Sequence, residues 1–438
     1  MKEYRDKVIS VEQALELVGA QCEIVTGLGG SEGKTFLSNL HKIYDRVERV
    51  EVTNCLPMSN FEFFKKEYSD KFFLNGWFYS PGMRAIHKNG NASFIPNNLH
   101  FAGYKRFFHK KPNIYVGSAT MPDKHGYISL SLGNTYEREA MDLADITILE
   151  CNPNFPRTFG DISIHVRDVD YIIEADYNPP LLDSPTPNEK DEKIGKFIAD
   201  QIGDGSCIQL GIGGIPDSVA KFLYDKKDLG VHTEMLTSEI AKLAKAGVVT
   251  GNKLTLHKGK IMTTFILGNQ ELYDFVDDNP AVEVRAGNYT NDPYVIGQID
   301  NMVSINTTLE IDLTGQCASE SIGSKQFSGS GGQADTAIGA QNAKGGKSFI
   351  ALYSTAMVRN PETGEKEEKS KILPQLTPGA AVSLSRNDVD FVVTEYGIAA
   401  LRGTTIQERV DRLIAIAHPK YRDWLYEEAL RLEIITRR

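Results

Sequence analysis

The sequence predicts an α/β protein because short apolar runs alternate with helical patterns and are followed by glycine or proline. Uninterrupted apolar runs are typical of strands that are buried on both faces of a parallel or mixed sheet. Between several runs, apolar residues recur at spacings of three and four, as on one face of a helix. Alternation of the two element types defines the α/β class. The predicted strands lie within residues 22–30, 145–154, 206–216, 302–315, 347–355 and 390–397.

Helices are predicted most clearly near the two ends of the chain. Residues 11–19 place apolar side chains at helical spacing. Thr405 and Glu408 form the pattern of a capping box, which indicates a helix start. His418-Pro419 ends that helix, and Pro419 starts the next one. The apolar stripe of this last helix is expected to face the core, and it comprises Tyr421, Trp424, Leu425, Ala429 and Leu432.

The length of 438 residues favours two domains. Residues 178–193 contain four prolines, mixed charge and few apolar side chains, which predicts an interdomain connection. We therefore divide the chain into 1–185 and 186–438. Each half opens with a helical pattern that leads into Cys-x-Ile and then glycines, at Cys22 and Cys207. This similarity indicates either two related α/β lobes or a chance likeness of two strand–loop units.

Composition excludes several classes of protein. The chain has 48 Lys and Arg against 58 Asp and Glu, a net charge of −10, which argues against a protein that binds nucleic acid or anionic membranes. No apolar run reaches the ~18–20 residues of a membrane span, and the N-terminus does not resemble a signal peptide. The 5 cysteines are widely spaced without a CxxC pair, so we expect no disulfide framework, no zinc site and a cytoplasmic protein. Cys22, Cys151 and Cys207 lie in or beside apolar runs, so we expect them to be buried, inert thiols.

A glycine-rich loop at 211–215 follows a predicted strand and leads into a predicted helix. Backbone N–H groups at such a helix start favour a phosphate, a carboxylate or a developing oxyanion. The loop lacks both the GxGxxG pattern and the Gly-Lys-Ser/Thr of a P-loop. A tight strand-to-helix turn without a ligand remains the alternative. A second glycine-rich stretch, 321–340, is either a loop that approaches a ligand or a cluster of turns.

His232 and Glu234 lie in a loop after another predicted strand. His-x-Glu is part of the zinc-deaminase pattern, but the Pro-Cys-x-x-Cys that this pattern requires is absent. The segment also does not match HExxH. From the residues alone, Glu234 is more simply interpreted as a solvated side chain than as a catalytic one.

These segments, in this order, resemble the class I CoA-transferases of the acetyl-CoA hydrolase/transferase family, in the group that includes 4-hydroxybutyrate and butyryl-CoA:acetate CoA-transferases. The resemblance spans nearly the whole chain and implies two similar α/β lobes that face each other across an active-site cleft, with the C-terminal lobe carrying the catalytic glutamate and the CoA-binding loops. It rests on residues 76–86, 159–174, 209–217, 232–235, 291–316, 327–335 and 392–403.

The resemblance also implies the roles of individual residues. Glu234 corresponds to the glutamate that acts as the nucleophile of the family. The residues that correspond to the family's CoA-binding and oxyanion positions are Gly211, Ile212, Gly213, Gly214, Ile215, Leu309, Gly331 and Gly332. Two positions depart from the family pattern: Gly214, where relatives often have alanine, and Thr336, where they often have an aromatic residue.

The implied activity is transfer of CoA from a short-chain acyl-CoA to a carboxylate such as acetate, with ping-pong kinetics and a glutamyl-CoA thioester. This would place the protein in acetate and butyrate metabolism of fermentation. CoA is then a substrate, and no metal or redox cofactor is expected. The implied assembly is a homodimer or homotetramer. Two alternatives remain: a short-chain acyl-CoA hydrolase on the same scaffold, and a nucleotide-binding regulatory protein without chemistry.

Overall fold

The computed structural model describes residues 2–359 and 363–436, which form two compact units. Unit 1 consists of Met1–Asp183, Thr233–Ser238 and Lys260–Asp292. Unit 2 consists of Ser184–His232, Glu239–Gly259 and Pro293–Arg438. Across these two described ranges, no helix combines the length and the apolar character needed to cross a membrane.

Unit 1 is built on a seven-stranded sheet in which every neighbouring pair is parallel. The strand order is β7-β6-β5-β1-β2-β3-β4, so the chain extends the sheet in one direction up to β4 and in the other from β5 onward. Buried apolar residues such as Ile24 and Val25 account for the uninterrupted apolar runs of the sequence. The strands are β1 (Gln21–Thr26), β2 (Arg49–Asn54), β3 (Phe72–Gly76), β4 (Ala92–Phe94), β5 (Ile114–Thr120), β6 (Ile146–Asn152) and β7 (Tyr171–Glu174).

Further short strands of unit 1 bring distant parts of the chain together. Val282–Val284 pairs in parallel with both Phe159–Gly160 and Ile261–Thr263, and Met235–Leu236 pairs in parallel with Phe265–Ile266. The remaining pair, Tyr127–Ser129 with Ser163–His165, is antiparallel. The α-helices of unit 1 are Lys2–Lys7, Val11–Glu16, Lys34–Asn39, Pro81–His87, Ala102–His109, Glu137–Leu143, Gln270–Val276 and Gly287–Thr290. Its 3-10 helices are Gly29–Ser31, Leu40–Arg46, Glu62–Phe64, Lys66–Tyr68, Leu99–Phe101 and Val166–Asp168.

The compact units differ from the predicted division into 1–185 and 186–438 in two segments. The first boundary falls at Asp183, close to the predicted one, but residues 233–238 and 260–292 join unit 1. They do so because their strands pair with each other and with Phe159–Gly160. Glu234, which the prediction placed in the C-terminal half, therefore belongs to unit 1.

Unit 2 is also built on a mainly parallel sheet, with the strand order β13-β12-β11-β10-β8-β9. As in unit 1, the first strand, β8, has the next strand of its sheet on one side and a later strand on the other, which supports two related lobes. Only the β12–β13 pair is antiparallel. The strands are β8 (Cys207–Leu210), β9 (Gly230–His232), β10 (Met302–Thr307), β11 (Lys347–Ala351), β12 (Phe391–Thr394) and β13 (Gly397–Ala400).

The other elements of unit 2 surround this sheet. Its α-helices are Glu189–Ala199, Gly214–Lys221, Ser238–Lys245, which begins at the last residue of a unit 1 segment, Pro293–Ile296, Gln333–Asn342, Ile406–Ala415 and Arg422–Arg431, and its 3-10 helices are Arg386–Asp388 and Pro419–Tyr421. Its remaining strands are Glu310–Asp312, Cys317–Ala318, Ser321–Ile322, Lys325–Gln326, Thr355–Arg359, Lys366–Ser370 and Ile372–Leu373.

Several local predictions for unit 2 are confirmed. The side chain of Thr405 accepts from the backbone N–H of Glu408, whose carboxylate accepts in return, so the capping box forms. The last helix buries Leu425 and Ala429 as expected. The expectation is wrong for Trp424, which is 43% exposed because it lies toward the outer face of that helix. In both units, the cysteines are buried and unpaired, as expected for Cys22, Cys151 and Cys207.

Candidate active site

Residues 212–215 of the glycine loop line a pocket of about 270 Å³ in unit 2, and Gly211 precedes them at the end of β8. The loop follows β8, and the segments Thr307–Leu309 and Ala351–Tyr353, at the ends of β10 and β11, line the same pocket. Neighbouring parallel strands point their carboxyl ends to one edge of the sheet, so these three segments meet there. The chain adds β9 on one side of β8 and β10 on the other, so the sheet changes its direction of growth between β8 and β10. Open α/β sheets bind ligands at such a position.

Gly213 gives the loop its shape. Its φ of +114° lies in the region that residues with a Cβ rarely adopt, and it is the N-cap of the helix Gly214–Lys221. The first N–H groups of a helix have no partner inside the helix. Those of the residues after Gly213 are therefore suited to an anion or a carbonyl oxygen in the pocket.

Position 214 has to be a glycine because the side chain of Asp191 lies very close to it. A Cβ on Gly214 would lie 2.3 Å from Oδ2 of Asp191, well inside contact distance. The buried Asp191 carboxylate cannot readily move, because it accepts hydrogen bonds from the Tyr353 hydroxyl at 2.6 Å and from the Asn188 N–H at 2.9 Å. Burial, together with donation to Asp191, raises the pKa of Tyr353 to about 12. This chain therefore places the Asp191 carboxylate where an alanine methyl group would otherwise lie.

The other predicted CoA contacts also belong to unit 2. Leu309 lines the pocket directly. Gly331 and Gly332 precede the helix Gln333–Asn342, and Gly332 is its N-cap. The side chain of Gln333 donates to the carbonyl of Thr307 at 2.7 Å, which ties this helix start to the pocket wall.

A polar network occupies the surroundings of Thr336. Its hydroxyl accepts from Asn306 Nδ2 at 3.0 Å and lies within hydrogen-bond distance, 3.0 Å, of the Ser304 hydroxyl. Ser304 in turn donates to Gln209 Oε1 at 3.2 Å. The hydroxyl of Thr336 thus completes a buried hydrogen-bond network between β8, β10 and the helix that follows Gly332, which an aromatic side chain could not join.

Glu234 lies in unit 1, in the turn that precedes the strand Met235–Leu236. Its backbone carbonyl accepts from Thr264 and Phe265 N–H groups and from the Thr263 hydroxyl, at 3.0–3.1 Å. The backbone of Glu234 is therefore fixed from the strand segment 261–266. Its side chain is only partly buried.

Two further residues of unit 1 surround the Glu234 carboxylate, and sequence reasoning missed both. Asn291 is fully buried, and its Nδ2 donates to Oε2 of Glu234 at 2.9 Å. Cys55 is close enough for the charge of Glu234 to act on its thiol. Burial, and then the charges of Glu234 and Glu137, raise the pKa of Cys55 well above its usual range, so the thiol stays protonated. Asn291 opens one of the segments of the resemblance, which was the signal that could have identified it.

These features define an α/β protein with a ligand pocket at the carboxyl ends of its strands and a hydrogen-bonded, partly accessible glutamate. The sequence models for the acetyl-CoA hydrolase/transferase N-terminal and C-terminal domains match residues 1–181 and 268–429. The chain belongs to the acetyl-CoA hydrolase/transferase family, which is a family of enzymes.

Individual relatives match the chain from end to end. The 4-hydroxybutyrate coenzyme A transferase of Clostridium kluyveri is 40% identical, with 97% of each chain covered. The butyryl-CoA:acetate CoA-transferase of Anaerostipes caccae is 33% identical, covering 100% of this chain and 98% of its own. The crystal structure of RipA from Yersinia pestis superposes with a TM-score of 0.92 at 32% identity, covering 99% of each chain. By contrast, the acetyl-CoA hydrolase of Yarrowia lipolytica matches only 50% of this chain and 39% of its own, at 30% identity.

Proposed function

We propose that this enzyme is a CoA-transferase that moves CoA from a short-chain acyl-CoA to a carboxylate acceptor, with Glu234 as the nucleophile. The observation that carries the proposal is the hydrogen bond from the buried amide of Asn291 to the partly accessible Glu234 carboxylate. An amide N–H that donates to this oxygen favours the ionised form, which is the form that attacks. The end-to-end similarity to named CoA-transferases supports the same assignment.

The first half of the proposed reaction transfers CoA to the enzyme. The Glu234 carboxylate attacks the thioester carbonyl of the acyl-CoA, which gives an acyl-glutamyl anhydride and releases CoA thiolate. The thiolate then attacks the glutamyl carbonyl. This forms a glutamyl-CoA thioester and releases the acyl group as a free carboxylate.

The second half runs the same steps with the acceptor. The acceptor carboxylate attacks the glutamyl thioester and releases CoA thiolate, and the thiolate attacks the acceptor's carbonyl in the resulting anhydride. A new acyl-CoA leaves and the Glu234 carboxylate is restored. Both halves pass through tetrahedral oxyanions, for which we propose the backbone N–H groups of 211–215 and 331–332 as donors. One such donor typically contributes ~3–4 kcal/mol.

The nucleophile is tested by Glu234→Gln, which removes the attacking oxygen while preserving shape. We expect a loss of transfer of roughly 10³-fold or more. After incubation with acyl-CoA alone, borohydride should reduce a glutamyl thioester in the parent and find none in the variant, as read by mass spectrometry of residue 234. Glu239→Gln, at a second partly buried glutamate five positions later in the sequence, is the matched control and should retain both signals. Full activity of Glu234→Gln would refute the assignment.

An assay without the carboxylate acceptor distinguishes a transferase from a hydrolase. Without an acceptor, a transferase releases at most one equivalent of the acyl carboxylate per active site and no free CoA, because the CoA stays bound as the glutamyl thioester. A hydrolase releases free thiol continuously. Continuous release of CoA from acetyl-CoA, at a rate similar to transfer, would establish the hydrolase alternative.

The proposal extends to substrates and setting. We propose acetyl-, butyryl- or 4-hydroxybutyryl-CoA as donors and acetate as an acceptor, as in fermentative acetate and butyrate metabolism. A panel of short-chain donors and acceptors, read by mass spectrometry, tests this. The chemistry needs no metal or redox cofactor because the carboxylate forms every covalent intermediate. A cytoplasmic homo-oligomer completes the proposal, and five unpaired thiols suit a reducing compartment.

A further inference from the structure

The surface of unit 1 carries three exposed aromatic rings on and just before the helix Ala102–His109. Phe101, Tyr104 and Phe108 are 42%, 61% and 86% exposed, and they follow each other at the three- and four-residue spacings of one helix face. The centroids of neighbouring rings lie 6.3 Å and 6.2 Å apart. Phe107, on the opposite face of the helix, is buried. The three rings, called the aromatic ladder below, are therefore not part of the core of unit 1.

The aromatic ladder has the composition and a large part of the area of a protein–protein interface. Monomeric proteins rarely expose a large continuous apolar surface, and such surfaces mark sites of interaction. Tyrosine and phenylalanine are enriched in the cores of protein interfaces. Three rings with these exposures would bury roughly 300–400 Å². This is about half of the ~800 Å² that each partner buries in a stable interface, so neighbouring elements must supply the rest.

The helix Glu137–Leu143 lies beside the helix Ala102–His109 and extends this surface. The two helices pack so closely that a Cβ on Gly103 would overlap Oε2 of Glu139. Residues three and four positions after Glu139 lie on the same side of its helix. One of them, Leu143, is 44% exposed and adds an apolar side chain to the surface.

The two helices carry opposite charges. Ala102–His109 contains Lys105 and Arg106 and no acidic residue, whereas Glu137–Leu143 contains three carboxylates and one arginine. Lys105 is exposed, and its ammonium group lies 5.1 Å from the centroid of the Phe101 ring. Asp142 is exposed on the other helix. Positive and negative charge therefore lie side by side, next to the aromatic ladder.

A surface with this arrangement is complementary to a second copy of itself. In a symmetric dimer, the same patch of both copies forms the contact. A two-fold axis that runs between the two helices places the basic helix of one copy opposite the acidic helix of the other. Such pairing of opposite charges favours this partner over others and fixes the register of the contact.

We propose that two copies of the chain associate through the aromatic ladder and the helix Glu137–Leu143, about a two-fold axis. A second copy fits this surface better than an anionic membrane does, because the acidic helix and the net charge of −10 would be repelled by the lipid headgroups. This inference rests on the homo-oligomer of the proposed function and adds the surface through which it forms.

The test measures the association of the full-length protein by sedimentation velocity over a range of concentrations. Tyr104→Ala with Phe108→Ala removes two exposed rings and keeps good helix formers, so circular dichroism should be unchanged. We expect the dissociation constant to rise roughly hundredfold or more, as for the loss of two central aromatic contacts. Tyr224→Ala with Tyr426→Ala, at two exposed tyrosines of unit 2, is the matched control and should associate like the parent. A monomeric parent, or equal association of the parent and the ladder variant, would overturn the inference.

Two further measurements separate this surface from the catalytic proposal and from a membrane site. Glu234→Gln should associate like the parent, so an active Glu234→Gln would refute the nucleophile and leave the interface intact. A monomeric parent would refute the interface even if Glu234→Gln is inactive. The parent should also remain in the supernatant when it is sedimented with vesicles of phosphatidylcholine and phosphatidylserine. Vesicle binding that the ladder variant loses would identify a membrane surface and contradict the proposal.

Discussion

Asn291 is the residue on which the orientation of Glu234 depends. It follows the short helix Gly287–Thr290, and its backbone N–H donates to the carbonyl of Gly287, so the amide side chain starts from a fixed position. The donated hydrogen bond of 2.9 Å holds Oε2 of the Glu234 carboxylate in place. The proposed anhydride and thioester both retain an oxygen on this carbon, to which the same N–H can donate.

Asn291→Ala should therefore slow catalysis more than it weakens binding. A hydrogen bond to a charged group contributes about 1.5–3 kcal/mol, which predicts a roughly tenfold to hundredfold lower kcat. The KM for acyl-CoA should change by less than about threefold, because Asn291 would act as a positioning residue and not as a CoA contact. Steady-state kinetics and circular dichroism of the variant check both points. A raised KM with unchanged kcat would contradict this role.

Glu32 makes the stability of unit 1 depend on pH. Its side chain is buried, and burial raises its pKa from 4.5 to about 8 against hydrogen bonds from Met58 and Ser59. Because the folded state holds the proton of Glu32 more tightly, the contribution of Glu32 to the free energy of unfolding is fully present below pH 4.5. It falls by about 1.4 kcal/mol per pH unit as pH rises toward 8, and levels off above that.

Glu32→Gln should remove this contribution to the pH dependence. Urea unfolding at pH 5 and pH 8 should give a smaller difference in midpoint for the variant than for the parent. The exposed Glu67→Gln serves as the control and should behave like the parent. The same pH dependence in the parent and in Glu32→Gln would mean that Glu32 is ionised in the folded protein.

The sequence identified site residues only where they carry a contiguous motif. The glycine loop could be predicted because consecutive glycines between a strand and a helix have a direct conformational meaning. Glu234 required the family resemblance, because a single glutamate in a loop has no local pattern. Asn291 was missed because its partner lies 57 positions earlier, and no local rule relates the two.

At the scale of elements, the junction of β8 with the helix Gly214–Lys221 depends on the close contact between Gly214 and Asp191. The contact distance of 2.3 Å for a Cβ leaves no room for alanine while Asp191 is held by Tyr353 and Asn188. Without Asp191, alanine would be the better helix residue.

The effect of Gly214→Ala on the free energy of unfolding should therefore change sign when Asp191 is replaced. In the parent, overpacking should destabilise the protein by about 1–3 kcal/mol. In the Asp191→Ala background, the same change should be neutral or stabilise by up to about 1 kcal/mol, the helix preference of alanine over glycine. Urea unfolding of the four proteins forms a double-mutant cycle that measures the coupling. Purely additive effects would show that Asp191 moves aside.

Local sequence signals predicted the positions of helices and strands better than they predicted which side chains are buried. The capping box at Thr405 formed as predicted because both partners lie within one turn of helix. Trp424 was assigned to the core from helical spacing, yet spacing defines a face only approximately. Leu425 and Ala429 take the buried positions, while the indole beside them lines a pocket.

At the scale of the whole molecule, the two units could not be delimited from the sequence because strand pairing is nonlocal. The proline-rich stretch predicted the first boundary between the two units, after Asp183, to within a few residues. The chain then returns to unit 1 for residues 233–238 and again for 260–292. The pairing of Val282–Val284 with Phe159–Gly160 joins residues more than a hundred positions apart, which no local pattern indicates.

Because the chain passes between the two units several times, we expect the two fragments to stay associated after the interdomain connection is cut. A protease site inserted between the exposed residues Asp183 and Ser184 would give two fragments, and the C-terminal fragment would still supply residues 233–238 and 260–292 to unit 1. We expect the cleaved protein to elute as a single species on size exclusion and to show two bands only after denaturation. Residues 1–183 expressed alone should fail to unfold cooperatively in urea, because the strands that pair with Phe159–Gly160 are missing. Separation of the fragments without denaturant, or cooperative unfolding of the isolated 1–183, would show that unit 1 is complete without the two returning segments.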